Sequence, residues 1–251
     1  MKKNVYFVSD AHLGIDMPGH NGREAALLSF FDSLAPGADE LYIVGDLFDF
    51  WIEYRHAIRP EYFRVIDRLF SLVKNGTRVH YLAGNHDFAL GPFLSETLGL
   101  IIHPDHYETT LQGKRVHLFH GDGLFKRDVG YRFMRRILRN KTFQGLYKLL
   151  PPDIGVPLAS FCSGSSRKML DFWFTEEVIE EYRQHARTYL EHGADIVVFG
   201  HTHHPEIRCY GEKTYVNTGE WIRTFNYAKL ENGAMSLWQW FADKPAKEIL
   251  P

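Results

Sequence analysis

Cysteine is scarce in this chain: Cys162 and Cys209 are the only two, and they lack the paired spacing of a zinc finger. That excludes a disulfide-dense secreted scaffold and favours a reduced, cytoplasmic protein, with a single bridge left open. Long apolar runs are missing too. No stretch approaches the roughly 20 residues that a membrane-crossing helix needs. The run after Met1-Lys-Lys-Asn stops after four residues, too short for the apolar core of a secretory signal. Excess charge of either sign is absent, since 29 Lys and Arg face 31 Asp and Glu. A surface that coats nucleic acid or anionic membrane as a whole is thereby excluded, and any basic contact must be local. No Ser/Gly/Pro-rich linker, repeat or low-complexity tract divides the chain, so one domain over 1–251 is expected.

Apolar stretches are present, but short. Five of them each end in Asp, Asn or His. They are Val5–Val8 before Ser9-Asp10-Ala-His12, Leu41–Val44 before Gly45-Asp46, Val79–Leu82 before Ala83-Gly84-Asn85-His86-Asp87, Val116–Phe119 before His120-Gly-Asp122, and Ile196–Phe199 before Gly200-His201-Thr-His203-His204. Continuous apolar runs of this length suit strands buried on both faces, whereas carboxylate, amide oxygen and imidazole suit divalent cations. Between the runs, Arg23 to Leu34 and Pro60 to Lys74 carry helical apolar spacing, the second opened by Pro60 and followed by Gly76. Strands alternating with helices predict βαβ units, whose loops after the carboxyl ends of the strands gather ligands. From Tyr107 onward, turns at Gln112-Gly113, Gly211-Glu212 and Asn232-Gly233 predict hairpins and a second, more antiparallel sheet. Glu176 to His192, between Thr175 and Gly193, predicts an amphipathic helix. The expected fold class is α/β, with two mixed β-sheets flanked by helices.

Residues of about 124–174 stand apart and read as a helical insertion, or cap. Lys126 to Lys148 holds eight Lys or Arg and one acid, Asp128. Arg132, Arg135, Arg136 and Arg139 fall on one helical face, and Phe133, Met134, Ile137 and Leu138 on the other. Such a stripe can meet phosphate or a membrane surface, or simply be solvated. Phe143, Leu146, Tyr147, Leu149 and Leu150, with Phe172, Trp173 and Phe174, read as the core of the cap or, for a lipid substrate, as an apolar cleft.

Asp10-x-His12 and His201-x-His203 use a spacing of two, which in extended backbone sends both side chains to one side. Asp46 adds a carboxylate able to bridge two ions, Asn85 a neutral oxygen and His120 an imidazole. These seven groups suffice for two divalent metal ions, with manganese expected and iron or zinc compatible. Two cations about 4 Å apart can lower the pKa of water and steady an in-line phosphoryl displacement. Each cluster alone has a plain reading as turn or cap chemistry; five in series at strand ends do not. His80 and His117 read as strand residues, and His20, His56, His103, His106, His185 and His192 as surface.

The series D-x-H, GD, GNHD, HGD and GHTH is similar to that of the calcineurin-like metallophosphoesterases over nearly the whole chain. The resemblance implies the metallophosphoesterase-type sandwich. It also implies one metal ion on Asp10, His12, Asp46 and His203 and another on Asp46, Asn85, His120 and His201. His86 would meet the phosphate or protonate the leaving oxygen, oriented by Asp87. Within the family, Gly45-Asp-Leu-Phe-Asp-Phe-Trp51, Gly84-Asn-His-Asp-Phe-Ala-Leu-Gly91 and Gly200-His-Thr-His-His-Pro205 resemble the UDP-2,3-diacylglucosamine diphosphatases of lipid A synthesis. That resemblance implies a UDP-linked acylated sugar cleaved to UMP and 2,3-diacylglucosamine 1-phosphate. It further implies a cytoplasmic enzyme peripheral to the inner leaflet, with no nucleic-acid partner. Asn85, His86, Asp128, Tyr131, Arg135, Ser166, Lys168 and His201 would contact substrate. Typical members carry Arg where this chain has His86; Arg clamps phosphate with a fixed fork, whereas His can also hand over a proton. A nucleotide phosphodiesterase or nuclease, or another nucleoside-diphosphate-sugar hydrolase, could use the same centre. A protein phosphatase would carry Arg shortly after Gly45-Asp46, and a scaffold without catalysis would be expected to lack ligands.

Overall fold

The computed structural model describes residues 4–14, 22–34, 37–159 and 175–249. Two mixed sheets stack face to face with helices outside them, as the alternation of apolar runs and amphipathic segments predicts. The first sheet has the order β12-β11-β10-β1-β2-β3-β4, with β1 (Val5–Val8), β2 (Glu40–Val44), β3 (Arg78–Leu82), β4 (Ile101–His103), β10 (Asn226–Glu231), β11 (Ala234–Gln239) and β12 (Lys247–Ile249). The second has the order β5-β6-β7-β9-β8, with β5 (Tyr107–Leu111), β6 (Lys114–Leu118), β7 (Ile196–Phe199), β8 (Glu206–Tyr210) and β9 (Lys213–Asn217). Strands β1 to β4 run parallel, as do β6, β7 and β9. β1, β2, β3 and β7 are almost wholly buried, which explains their unbroken apolar character.

Three apolar layers hold the stack. Phe7, Tyr42, Val44 and Leu82 meet Val116, Leu118, Val198 and Val216 between the sheets. On the outer face of the first sheet lie α1 (Arg23–Leu34) and α2 (Phe63–Lys74), through Leu27, Phe31, Leu69 and Leu72. Against the second lies α6 (Glu176–Glu191), through Val178, Tyr182, Ala186 and Leu190. Burial of each of the Val, Leu and Phe side chains among them contributes about 1.5–3 kcal/mol. The segment from Pro60 opens as a single 3₁₀ turn, Pro60–Tyr62, before α2, and the buried Tyr62 hydroxyl at its end donates to the Phe50 carbonyl at 3.0 Å.

One expectation about the sheets is corrected. The hairpin around Asn232-Gly233 does not extend the second sheet; its β10 pairs antiparallel with β1, Val5 opposite Leu230 and Phe7 opposite Ala228. β1 is buried on both faces and needs a neighbour at each edge, and Ala228, Leu230 and Leu237 complete the apolar layer between the sheets.

The cap comprises α3 (Val129–Leu138), α4 (Lys141–Tyr147) and the helical residues 152–159, here α5. Cys162, Ser166, Lys168 and the Phe172-Trp173-Phe174 cluster lie outside the described residues. Cys209 is a free, exposed thiol.

Candidate metal centre

All five apolar runs deliver their polar residues to one end of the stack, astride the edges of both sheets. β1 leads to Asp10 and His12, β2 to Asp46 and β3 to Asn85 and His86. β6 leads to His120, and β7 to His201 and His203. The loops are zipped to one another by main-chain bonds: Asp10 N–H to Gly45 O (3.1 Å), His12 N–H to Asp46 O (3.0 Å), Trp51 N–H to His86 O (3.1 Å) and Gly200 N–H to His120 O (3.0 Å). Asp10, His12, Asp46, His201 and His203 all have φ between 44° and 68°, the left-handed region.

Six of the seven predicted donors fall, together with His86, into three overlapping groups, and the seventh, Asn85, faces His120. Ligand atoms of Asp10, His12 and His203 lie within 4.8 Å of one another, as do those of Asp46, His120 and His201, and those of His12, Asp46 and His86. His12 Nε2 and His203 Nε2 are 3.2 Å apart, and Asp10 Oδ1, 3.3 Å from His203 Nε2, is buried without a hydrogen-bond partner among the described residues. His120 Nε2 faces Asn85 Oδ1 at 2.9 Å and Asp46 Oδ2 at 3.3 Å. Its Nδ1 donates to the Val44 carbonyl at 2.8 Å, so Nε2 is the atom left for a ligand.

The electrostatics suit cations. Burial would raise the Asp10 and Asp46 carboxyls, but the surrounding imidazoles hold both below the usual carboxylate range. Burial pulls His201 down to about 4 and lowers His12. It would lower His120 as well, yet the Asp46 and Asp10 carboxylates push that ring up to about 10. Carboxylates that stay ionised beside buried imidazoles form a donor set of the oxygen and nitrogen type that divalent metals take. Asp10, His12, Asp46 and His203 could hold one ion, and Asp46, Asn85, His120 and His201 a second.

The neighbours of His86 are not the ones sequence adjacency suggests. Asp87 is fully buried, and its carboxylate accepts main-chain N–H groups of Gly84 (2.8 Å), Leu47 (2.8 Å) and Asp46 (3.1 Å) and the Tyr81 hydroxyl. It fastens the β2 and β3 loops together rather than orienting His86. That role falls to Asp49, which the motif reading passed over. The Asp49 carbonyl accepts from His86 Nδ1 at 2.8 Å, and its Oδ1 lies 3.4 Å from the same nitrogen and 3.9 Å from His12 Nδ1. The signal was present as a second Asp three residues after Asp46. Ser9 was also missed: its hydroxyl donates to Asp10 and lies 2.6 Å from the Thr218 hydroxyl.

The cap residues lie beside this centre in altered roles. Asp128 is the N-cap of α3, accepting from Tyr131 N–H at 2.9 Å. Tyr131 donates its hydroxyl to Asp122 at 2.9 Å, with its ring 6.4 Å from that of His201. Arg135 pairs with Asp122 and Asp105, and Arg139 with Asp122. Half of the arginine stripe therefore points inward, onto a buried carboxylate, while Arg132 and Arg136 are exposed.

The sequence model of the calcineurin-like phosphoesterase family matches residues 3–205. The chain belongs to that family. Among curated proteins it is 31% identical to a UDP-2,3-diacylglucosamine hydrolase from Porphyromonas gingivalis, over 91% of this chain and 94% of that one. It is 33% identical to a protein of the same name from Haemophilus influenzae, with the same coverage. A solved structure of Vps29 with zinc from Entamoeba histolytica aligns over 98% of this phosphoesterase and 97% of its own chain, at 12% identity and a TM-score of 0.46.

Proposed function

We propose that this phosphoesterase hydrolyses the diphosphate of UDP-2,3-diacylglucosamine, releasing UMP and 2,3-diacylglucosamine 1-phosphate, with water attacking the phosphorus nearer uridine. The observation that carries the reading is the gathering of Asp10, His12, His203, Asp46, His120 and His201 into adjoining groups linked through His12, Asp46 and His86, with Asn85 beside His120. The names of relatives matched over nearly their full length supply the substrate class. Two cations, manganese in this reading with iron or zinc compatible, would supply Lewis-acid stabilisation and activation of water when bound. The chain's own residues do the rest. His86, held through Nδ1 by Asp49, faces the phosphate and hands a proton to the leaving oxygen. Asn85 and His201 touch phosphate beside their ions. Asp128, Tyr131 and Arg135, on or beside the cap helix next to the centre, would meet the uridine and sugar; Ser166 and Lys168, which the resemblance adds, lie outside the described residues.

The acyl chains imply a membrane-facing cap. Val129, Phe133, Met134, Leu146, Leu149, Ile154 and Leu158 are exposed there, Leu149 at 78%, among Arg132, Arg136, Lys141 and Lys148. Apolar side chains ringed by basic ones suit the surface of an anionic leaflet. No helix among the described residues is long and apolar enough to cross a membrane. The proposed location is the cytoplasmic face of the inner membrane, held peripherally.

The test is product analysis by mass spectrometry with UDP-diacylglucosamine, unacylated UDP-glucosamine and a simple phosphodiester, each with manganese. UMP from the acylated substrate, at a rate well above the other two, is expected. Equal rates on all three would remove the lipid claim and favour a general phosphodiesterase, which His86 in place of a phosphate-clamping Arg would also permit.

A further inference from the structure

Arg139 closes α3 at the C-cap position, and its guanidinium leaves the cap for the metal-bearing loops. Nη1 donates to the Pro104 carbonyl at 2.8 Å. Nη2 reaches both oxygens of Asp122 at 3.2 Å, the Gly84 carbonyl at 3.3 Å and the Ala83 carbonyl at 3.5 Å. Gly84 is bonded directly to Asn85, and Asp122 lies two residues beyond His120. One side chain therefore touches the loops that carry two donors of the same candidate ion site. Those loops come from different sheets: β3 from the first and β6 from the second. Asn85 Oδ1 and His120 Nε2 must stay 2.9 Å apart across that seam. The planar fork suits this reach, because its nitrogens diverge in fixed directions, whereas a lysine would offer a single point. Among the described residues, no such bond runs from Arg139 to the loops of Asp10, His12 or His203.

We infer that Arg139 is a positioning residue for one ion site only, setting the Asn85–His120 side of the centre from the cap and leaving the Asp10–His203 side untouched. The inference rests on the two-ion reading of this centre. It also gives the cap a second role, since whatever displaces α3 loosens one ion and spares the other.

The test is titration of the metal-free protein with Mn²⁺, followed by calorimetry and by the electron paramagnetic resonance of free Mn²⁺, with no organic substrate present. Two binding steps are expected for the unaltered protein. Arg139→Ala should weaken one of them about 10-fold or more and change the other less than twofold, the range typical of groups that orient metal ligands. Arg139→Lys should fall between, and guanidinium ion added to Arg139→Ala should restore part of the loss. Arg136→Ala, one turn away in the same stripe and exposed, should leave both steps as they are. His203→Gln should weaken the step that Arg139→Ala spares, which assigns the sites. Equal weakening of both steps, or no weakening of either, would overturn the assignment. A single step in the unaltered protein would remove the two-ion reading and this inference together. Failure to cleave UDP-diacylglucosamine would touch the substrate reading alone.

Discussion

Five of the seven candidate ligands hold left-handed backbone, a conformation that costs a non-glycine residue about 1–2 kcal/mol. Asp and Asn tolerate it better than most residues, because their short polar chains bond locally, and His is enriched there too. The loops persist because hydrogen bonds between neighbouring strand ends leave the chain no other path. Glycine completes the arrangement by absence of a side chain. A Cβ on Gly84 would lie 2.1 Å from Asp46 Oδ1 and 2.6 Å from Asp46 N, so either the carboxylate or the loop would have to move. With Asp46 proposed as a donor to both ions, Gly84→Ala should weaken both Mn²⁺ steps by about 10-fold or more, unlike Arg139→Ala. Titration of that variant checks it, and a shift in one step alone would show that Asp46 does not serve both ions. At this scale the cluster of candidate ligands was legible because Asp, Asn and His ended apolar runs. The partner of His86 was not, since side chains adjacent in sequence diverge, and Asp49 arrives from 37 residues away.

Among the elements, α3 departs furthest from its pattern. An amphipathic helix normally turns its apolar side inward. Here Phe133 and Met134 are 65% and 50% exposed, while Arg135 and Arg139 face the protein. The cause is Asp122, a carboxylate 1% exposed that would be costly to bury without cationic partners. Periodicity grouped the four arginines but could not say that Arg135 and Arg139 turn inward while Arg132 and Arg136 stay exposed, because that depends on a residue outside the helix. The exposed face can be probed directly. Phe133→Asp and Leu149→Asp should leave the heat-unfolding midpoint nearly unchanged, since neither side chain is buried. Each should weaken binding to vesicles containing anionic lipid by roughly 10-fold, the worth of one buried apolar side chain. Sedimentation with such vesicles measures it; unaltered binding in the double variant would deny the cap a role at the membrane.

Across the whole molecule, the sheets are joined near β4 and β5 by a stack of rings. His80 lies 4.3 Å from Tyr42 and 5.3 Å from His103, and His103 lies 3.7 Å from Tyr107 of the second sheet. His80 Nδ1 and His103 Nε2 are 3.0 Å apart. His103 is buried, contrary to its reading as a surface residue, because the pairing of β4 with β3 brings it against His80. Burial and the neighbouring His80 lower His103 from its usual 6.5 to about 4. Burial would raise Glu40, but bonds from His80, Tyr42 and Arg78 lower it from 4.5 to about 2. In both cases the unfolded chain binds protons at a pH where the folded one does not. The contribution of His103 is complete above pH 6.5 and is lost as pH falls to about 4; that of Glu40 is lost between about 4.5 and 2. The unfolding midpoint should therefore drop on acidification from about pH 7 to 4, and His103→Phe should flatten the part between 6.5 and 4. Parallel slopes for the two proteins in scanning calorimetry would contradict this.

The sandwich itself was legible from its apolar runs, but the destination of the last hairpin was not, since nothing in Asn226–Glu231 names β1 as its neighbour. That pairing has a temporal consequence. A ribosome must release more than 220 residues after Val5–Val8 before that strand can gain its second neighbour, so β1 is made long before it is secured. Asp10 and His12 follow directly from that strand, and the Trp221 N–H, just upstream of β10, donates to the Asp10 carbonyl. A nascent chain stalled before β10 would thus have every predicted ligand already translated and no finished cradle to hold an ion.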